Sequence, residues 1–248
     1  METLPDLLQK ALSSKVAYAP DGTTRPLESN VSKEEAEVLY SAVRSIRPDC
    51  SLEIGLAQGI SALAILAGIS ANGPLGHHYV VDPFQKNYAN CGEAMITLAG
   101  FADRHTFLER FPEEVVPQLP RLQFAFIDAS HLFDFTMMEF VLVDKKLEIG
   151  GIIALHDLWM PSLRTVLRFI HTNRAYRIRR DFSGPIPVPT LRQRSIEFVS
   201  YGLKKVPGTR RLLNSNLLDP WSAFRLTNLV FLEKQQEDSR DWRFHREF

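Results

Sequence analysis

SLEIGLAQGISALAILAG, residues 51–68, holds the reading of the whole chain. The short apolar run SLEIG meets a glycine and gives way to the helical sequence ISALAILAGIS, the pattern of a strand, a tight turn and a helix. Upstream, Ser32 precedes an apolar-periodic run (Ala36, Leu39, Tyr40, Val43) with Glu35 three residues on, a capping box that opens a helix running to about Arg47. Downstream, HYVVD (78–82) reads as a second strand and 90–101 as a helix; HTFLE (105–109) is a third strand. Residues 112–119 form a short helix with proline in its first turn. FAFID (124–128) and GIIALHD (151–157) are the fourth and fifth strands, separated by a helical segment at 134–147. Five short apolar strands alternating with helices predict an α/β protein whose parallel sheet is covered on both faces.

Beyond the fifth strand, 162–173 reads as a helix and the proline-rich FSGPIPVP as a loop. IEFVSYGL (196–203) and NLVFLEK (228–234) alternate as two closing strands, separated by an excursion at about 204–227. The expectation is a mostly parallel seven-stranded sheet with an antiparallel last strand, in one domain over 33–248 preceded by an N-terminal arm over 1–32.

Composition excludes several classes. The chain has 248 residues, 45% of them hydrophobic and 10% aromatic, so it buries too much apolar surface to be disordered. Cys50 and Cys91 are the only cysteines, without CxxC or Cys/His spacing, which argues against a disulfide scaffold and a structural zinc site and fits a reducing cytoplasm. METLPDLLQK lacks the basic start and apolar core of a secretory signal. The apolar stretch Ser61 to Ser70 falls short of the roughly 18 to 20 residues of a membrane span. The expected location is the cytoplasm.

The net charge of zero hides an uneven distribution. Residues 1–163 carry 12 basic and 21 acidic side chains, 164–211 carry 12 and 2, and 212–248 carry 5 and 6. A block of net +10 thus follows a body of net −9, which suggests an anionic acceptor, an acidic partner surface or a solvated helix face.

In an open parallel sheet, ligands bind beyond the carboxyl ends of the strands, and the turn after the first strand is the usual anchor. Here a dinucleotide fingerprint would need three glycines where the chain offers Gly55, Ala57 and Ile60, and Asp82 lies 27 residues beyond Gly55 rather than about 20. The pyrophosphate cradle therefore fails. What remains suits a nucleoside without pyrophosphate, with glycines admitting the backbone to the ligand and Asp82 accepting from ribose hydroxyls.

SLEIGLAQGISALAILAG, VVDPF, FAFIDASH and GGIIALHD, in this order, resemble the class I S-adenosylmethionine-dependent methyltransferases over about residues 33–170. IDASH and GGIIALHD look most like a subgroup of small-molecule O-methyltransferases that includes macrocin-type sugar methyltransferases and the related cephalosporin-hydroxylase-like proteins. The resemblance implies a Rossmann-like methyltransferase fold and S-adenosyl-L-methionine as cofactor. Glu53, Gly55, Ala57 and Gly59 would line its methionine part, Ser61 would bind its carboxylate, Asp82 would hold the ribose and Phe84 would border the adenosine. Residues 109–111 occupy the position of the adenine contact.

Methyl transfer to a weakly acidic hydroxyl requires positioning and a base or metal that lowers the hydroxyl pKa. Asp128 ends the fourth strand with His131 three residues on, and His156 and Asp157 end the fifth. Adjacent strands lie roughly 4.8 Å apart, so these side chains can converge above one sheet edge. By resemblance, Asp128 is a divalent-metal ligand, His131 a general base, and His156 and Asp157 further ligands. Metal-dependent members carry an acid where this chain has His156, and imidazole is a poorer partner for magnesium than carboxylate. The adjacent His77 and His78 read as a solvated loop.

The leading reading is a methyltransferase acting on a small-molecule hydroxyl. A nucleic-acid methyltransferase using the basic 164–211 segment is an alternative, against which stands IDASH in place of an N-P-P-Y-type motif. A non-methyltransferase of the same fold is the third. Residues 18–30, Trp159 with Met160, and the excursion are the expected acceptor contacts.

Overall fold

β3 (Cys50–Ile54) lies at the centre of the molecule, and its neighbours explain the rest. The computed structural model describes residues 4–182, 191–206 and 228–248. On one side of β3 stands β4 (His77–Val81) and then β5 (His105–Leu108), all parallel. On the other stand β6 (Leu122–Ile127) and β7 (Leu147–Leu155), also parallel. β9 (Val230–Lys234) runs antiparallel to both β7 and the short edge strand β8 (Tyr176–Ile178). The sheet order is therefore β5-β4-β3-β6-β7-β9-β8, with the order in which strands are added reversing between β3 and β6.

Side chains alternate between two cores because successive strand residues face opposite sides. Phe124, Phe126, Ile152, Ala154 and Phe231 face α2 (Lys33–Ile46), α3 (Ile60–Ala71) and α4 (Cys91–Leu98). Ala125, Ile127, Ile153, Leu155, Val230 and Leu232 face α6 (Phe133–Lys146) and α7 (Pro161–Asn173). α3 is buried from Ile60 through Ile69, which is why its sequence is apolar all round rather than amphipathic. Gly68 lets it approach α2: a Cβ there would stand 3.0 Å from the Tyr40 carbonyl oxygen and the Val43 side chain.

The capping box of α2 is formed, with Glu35 N–H donating to Ser32 Oγ and Ser32 N–H donating to Glu35 Oε2. Residues before it form α1 (Asp6–Ser14) and a hairpin of β1 (Val16–Tyr18) and β2 (Thr24–Pro26), and Leu8, Ala11 and Ala17 are buried in the same core as α2 and α3.

Two expectations are corrected. Residues 196–203 are not a strand but part of α8 (Leu191–Lys204), and the edge position is taken by β8. IEFVSYGL mimics strand alternation because its run is too short to separate period 2 from period 3.6, and its helix leaves Phe198, Val199 and Tyr201 exposed. His77 and His78 do not lie in a solvated loop: they open β4, and His78 is fully buried, bonded through Nδ1 to Ser51 Oγ and through Nε2 to Glu53. Residues 183–190 of the expected loop and 207–227 of the expected excursion lie outside the described residues. Among the described residues no helix is long and apolar enough to cross a membrane.

Candidate functional site

The switch between β3 and β6 brings two backbones together. A Cβ on Gly55 would stand 2.2 Å from the Asp128 carbonyl oxygen, and Gly55 has φ +95°. Gly59 (φ +83°) closes the turn against Gly92, whose carbonyl oxygen would lie 2.9 Å from an added Cβ. Gly92, which the sequence reading did not single out, is in turn needed because a Cβ there would meet Leu56 at 2.6 Å. Three non-glycine residues with left-handed backbone, Ala57, His131 and Asp157, cluster at the same edge. Such conformations persist only where the surroundings hold them, and they concentrate at working sites. His131 is held by Ser162 Oγ, which donates to its carbonyl at 2.7 Å.

Asp82 braces this turn from β4. Its Oδ2 accepts from Leu56 N, Ala57 N and Gln85 Nε2 at 3.1, 3.0 and 2.8 Å, whereas among the described residues Oδ1 accepts only from Phe84 N, at 2.8 Å. Oδ1 thus retains one acceptor position, room for one ribose hydroxyl rather than two. Behind the turn, Ser61 donates to Glu53, and Glu53 is fully buried and lines neither of the cavities described below. Burial raises the Glu53 carboxyl well above its usual range and lowers His78 to about 3, so this pair is uncharged.

Two cavities open at the carboxyl ends of the strands and share Gly55, Ala57, Tyr88, Asp128 and Ala129. The larger, about 410 Å³, is walled by Asp82, Phe84, Phe111, Phe135, Met138 and Glu139. Phe84 and Phe111 meet edge to face at 5.9 Å. Of the 109–111 segment, Phe111 is the residue that lines this cavity. The smaller, about 260 Å³, is lined by Ser29, Asn30, Ser61, His131, His156 and Asp157. Ser29 and Asn30 come from the N-terminal arm, which Gln58 ties to the glycine turn by accepting from Glu28 N at 2.6 Å and donating to Pro26 O at 2.7 Å.

The four residues expected to converge do so, and three further ones join them. His131 Nε2 lies 3.0 Å from Asp128 Oδ1 and 3.2 Å from Asp157 Oδ2. His156 Nδ1 stands 3.1 Å from Asp128 Oδ2, within pairing distance but unaligned for a hydrogen bond, and its Nε2 lies 3.2 Å from Glu35 Oε1. Asn228 donates its two amide hydrogens to Glu35 Oε1 at 3.1 Å and Asp157 Oδ1 at 3.2 Å. Trp159 Nε1 donates to Asp157 Oδ1 at 2.9 Å. Glu35 was legible only as a helix cap, since nothing in its spacing announces that its second oxygen reaches β7; Asn228 carried no signal.

Burial opposes the charges here, but pairing overrides it. His156 is lifted to about 10 by the Asp128 and Glu35 carboxylates, and those carboxyls are held down at about 2 by the two imidazoles and by His156 respectively. The hydrogen bond to Asp128 also raises His131 above the ordinary imidazole value. Ligand atoms of Asp128, His131 and Asp157 all lie within 4.8 Å of one another, a set that could hold a metal ion. His156 lies outside that set, its ring taken up by two carboxylates.

The basic segment is partly consumed internally. Arg174 pairs with Asp144 and Asp238, Arg177 and Arg179 pair with Glu233, and Arg179 also pairs with Asp181. These arginines tie β8 and its flanks to the sheet edge rather than forming one free cationic face.

Residues 52–158 match a family model described as a methyltransferase domain. Solved structures with this fold include the O-methyltransferase from Bacillus cereus in complex with SAH, 17% identical over 71% of this chain and 81% of that one, with a TM-score of 0.57. The O-methyltransferase TomG from Streptomyces achromogenes, in complex with SAM, is 13% identical over 95% and 92%, TM-score 0.57. The methyltransferase PaMTH1 from Podospora anserina, bound to SAH, is 15% identical over 95% and 90%, TM-score 0.57. No curated protein matches the sequence. The seven-stranded Rossmann-like methyltransferase fold expected from the four motifs is the fold observed.

Proposed function

We propose that the protein is an S-adenosylmethionine-dependent O-methyltransferase acting on a hydroxyl of a small molecule, a sugar or another natural product, with His131 as general base. The observation that carries this reading is the pair of joined cavities, one suited to a nucleoside and one holding His131, meeting at a glycine that tolerates no side chain. The cofactor fits the residues present: Gly55 leaves a cradle that a Cβ would fill, Asp82 keeps one acceptor, and the start of α3 at Ile60 and Ser61 offers backbone N–H groups to a carboxylate. When bound, S-adenosylmethionine supplies a methyl group on a positively charged sulfur, for displacement by the acceptor oxygen.

The chain's own part is to hold the acceptor and take its proton. With Nε2–H donating to Asp128, the neutral His131 ring keeps its lone pair on Nδ1, which has no bond to another described residue. Nδ1 receives the hydroxyl proton as the oxygen attacks, and Asp128 and Asp157 stabilise the resulting imidazolium. His156, Glu35 and Asn228 fix the two aspartates from behind. Gly59, Ala57 and Glu53 shape the turn, and Phe84 borders the nucleoside.

Two outcomes follow. Asp82→Ala removes both the ribose acceptor and the brace on Leu56 N and Ala57 N, so S-adenosylhomocysteine affinity by calorimetry should fall by about tenfold or more. An unaltered dissociation constant would remove Asp82 from the site. A divalent ion held by Asp128, His131 and Asp157 would lower the hydroxyl pKa there. Because both aspartates are already engaged by His131, Asn228 and Trp159, turnover should survive exhaustive chelation; loss that is restored by a divalent cation would assign the metal instead. Release of S-adenosylhomocysteine, measured over a panel of polyhydroxylated small molecules, finds the acceptor and tests the reading as a whole.

A further inference from the structure

Glu139 is an acidic residue where the packing calls for an apolar one. It lies on the face of α6 that turns toward the sheet with Thr136, Phe140 and Val143, it is 3% exposed, and its Oε2 has no hydrogen-bond partner among the described residues. A buried polar atom without a partner costs about 1–3 kcal/mol, so its presence calls for a partner supplied from outside. Glu139 lines the larger cavity, beside Phe135, Met138, Pro112 and Phe111.

The composition of that wall narrows what the partner is. Among the described residues the wall's acidic or basic side chains are Asp82, Glu113, Asp128 and Glu139, all acids. Such an acidic wall repels phosphates, and the two aromatic rings favour a flat apolar body. A carboxyl that keeps its proton presents one donor and one acceptor side by side, as an amide does, and this matches an edge bearing an amino group next to a ring nitrogen.

We infer that Glu139 reads the nucleobase of the cofactor, pairing its carboxyl with the amino and ring-nitrogen edge of adenine. This rests on the methyltransferase reading above and assigns the base-recognition element to α6. Burial, opposed by His131 and reinforced by Glu113 and Asp128, pushes the Glu139 carboxyl up to about 8, so the proton needed for the donor is in place at neutral pH. The unfolded chain releases that proton near 4.5, so between 4.5 and about 8 this residue makes stability fall as pH rises.

Calorimetry of S-adenosylhomocysteine binding to wild type, Glu139→Gln and Glu139→Leu at pH 7 tests the inference. Glutamine repeats the donor and acceptor, so Glu139→Gln should bind within about threefold of wild type; Glu139→Leu should bind about tenfold more weakly or worse. Both ligand-free variants should unfold at higher temperature than wild type, most at pH 8 and least near pH 4.5, which separates lost recognition from lost folding. An analogue lacking the purine amino group should lose affinity for wild type and lose little further for Glu139→Leu. Wild-type affinity in Glu139→Leu would overturn the role of Glu139 and leave the methyltransferase reading standing. No binding of S-adenosylhomocysteine to the wild type would overturn both.

Discussion

His131→Ala should lower turnover by roughly 10²- to 10⁴-fold while S-adenosylhomocysteine affinity changes by less than about twofold. The split follows from the position of the side chain. His131 lines the smaller cavity and not the larger one, so the nucleoside wall is untouched when the imidazole is removed. What is lost is the acceptor for the hydroxyl proton and the group that stands between Asp128 and Asp157. The backbone cost is small by comparison, since Ser162 still holds the carbonyl of residue 131. Steady-state release of S-adenosylhomocysteine, paired with calorimetry, reads both quantities. Unchanged turnover with an acceptor found by screening would refute the base assignment; a parallel loss of binding would make the residue structural.

Gly55→Ala should have the largest effect on stability. The added Cβ would stand 2.2 Å from the Asp128 carbonyl oxygen and within 2.9 Å of its carbonyl carbon and of Ala129 Cα, all backbone atoms. Neither side can give way cheaply: Asp128 N donates to Ile54 O at 3.0 Å and Gly55 N to Val81 O at 2.9 Å, so both backbones are fastened to the sheet. Gly150 supplies the control, with φ +85° and nothing within 4 Å of an added Cβ. Gly150→Ala therefore measures left-handed strain alone, about 1 kcal/mol. Gly55→Ala should exceed about 4 kcal/mol, a large share of the 5–15 kcal/mol by which domains are stable. Denaturant unfolding of the two variants side by side checks this; equal losses would show that β3 and β6 can separate at the site.

Most of the fold was written locally. The parallel core strands, the capping box at Ser32 and the switch from a short apolar run to an all-apolar helix at Gly59 each depend on neighbours a few residues away, and each appears in the structure. The errors lie where local pattern competes with tertiary partners. Tyr176–Ile178 is too short to announce itself and becomes a strand only because it pairs with β9; IEFVSYGL alternates like a strand and lies in α8. Nothing in the residues around His77 and His78 announces that Glu53 and Ser51 stand opposite His78 on β3.

The site divides in the same way. Asp128, His131, His156 and Asp157 were legible because they end adjacent strands, and strand ends converge by topology alone. Glu35, Asn228, Ser162, Phe111 and Glu139 were not, because each arrives from a separate element at a separation in sequence that no motif spans. The sequence by itself determined that a glycine turn would stand at the carboxyl edge of a parallel sheet with carboxylates and imidazoles beside it. Only the tertiary structure decided that His156 is enclosed by Glu35 and Asp128 while His131 stays open to the second cavity, and that one buried carboxyl oxygen on α6 is left without a partner among the described residues. The reason is physical: hydrogen-bond periodicity and turn geometry act over a few residues, whereas burial, pairing and charge are properties of the space that distant segments enclose together.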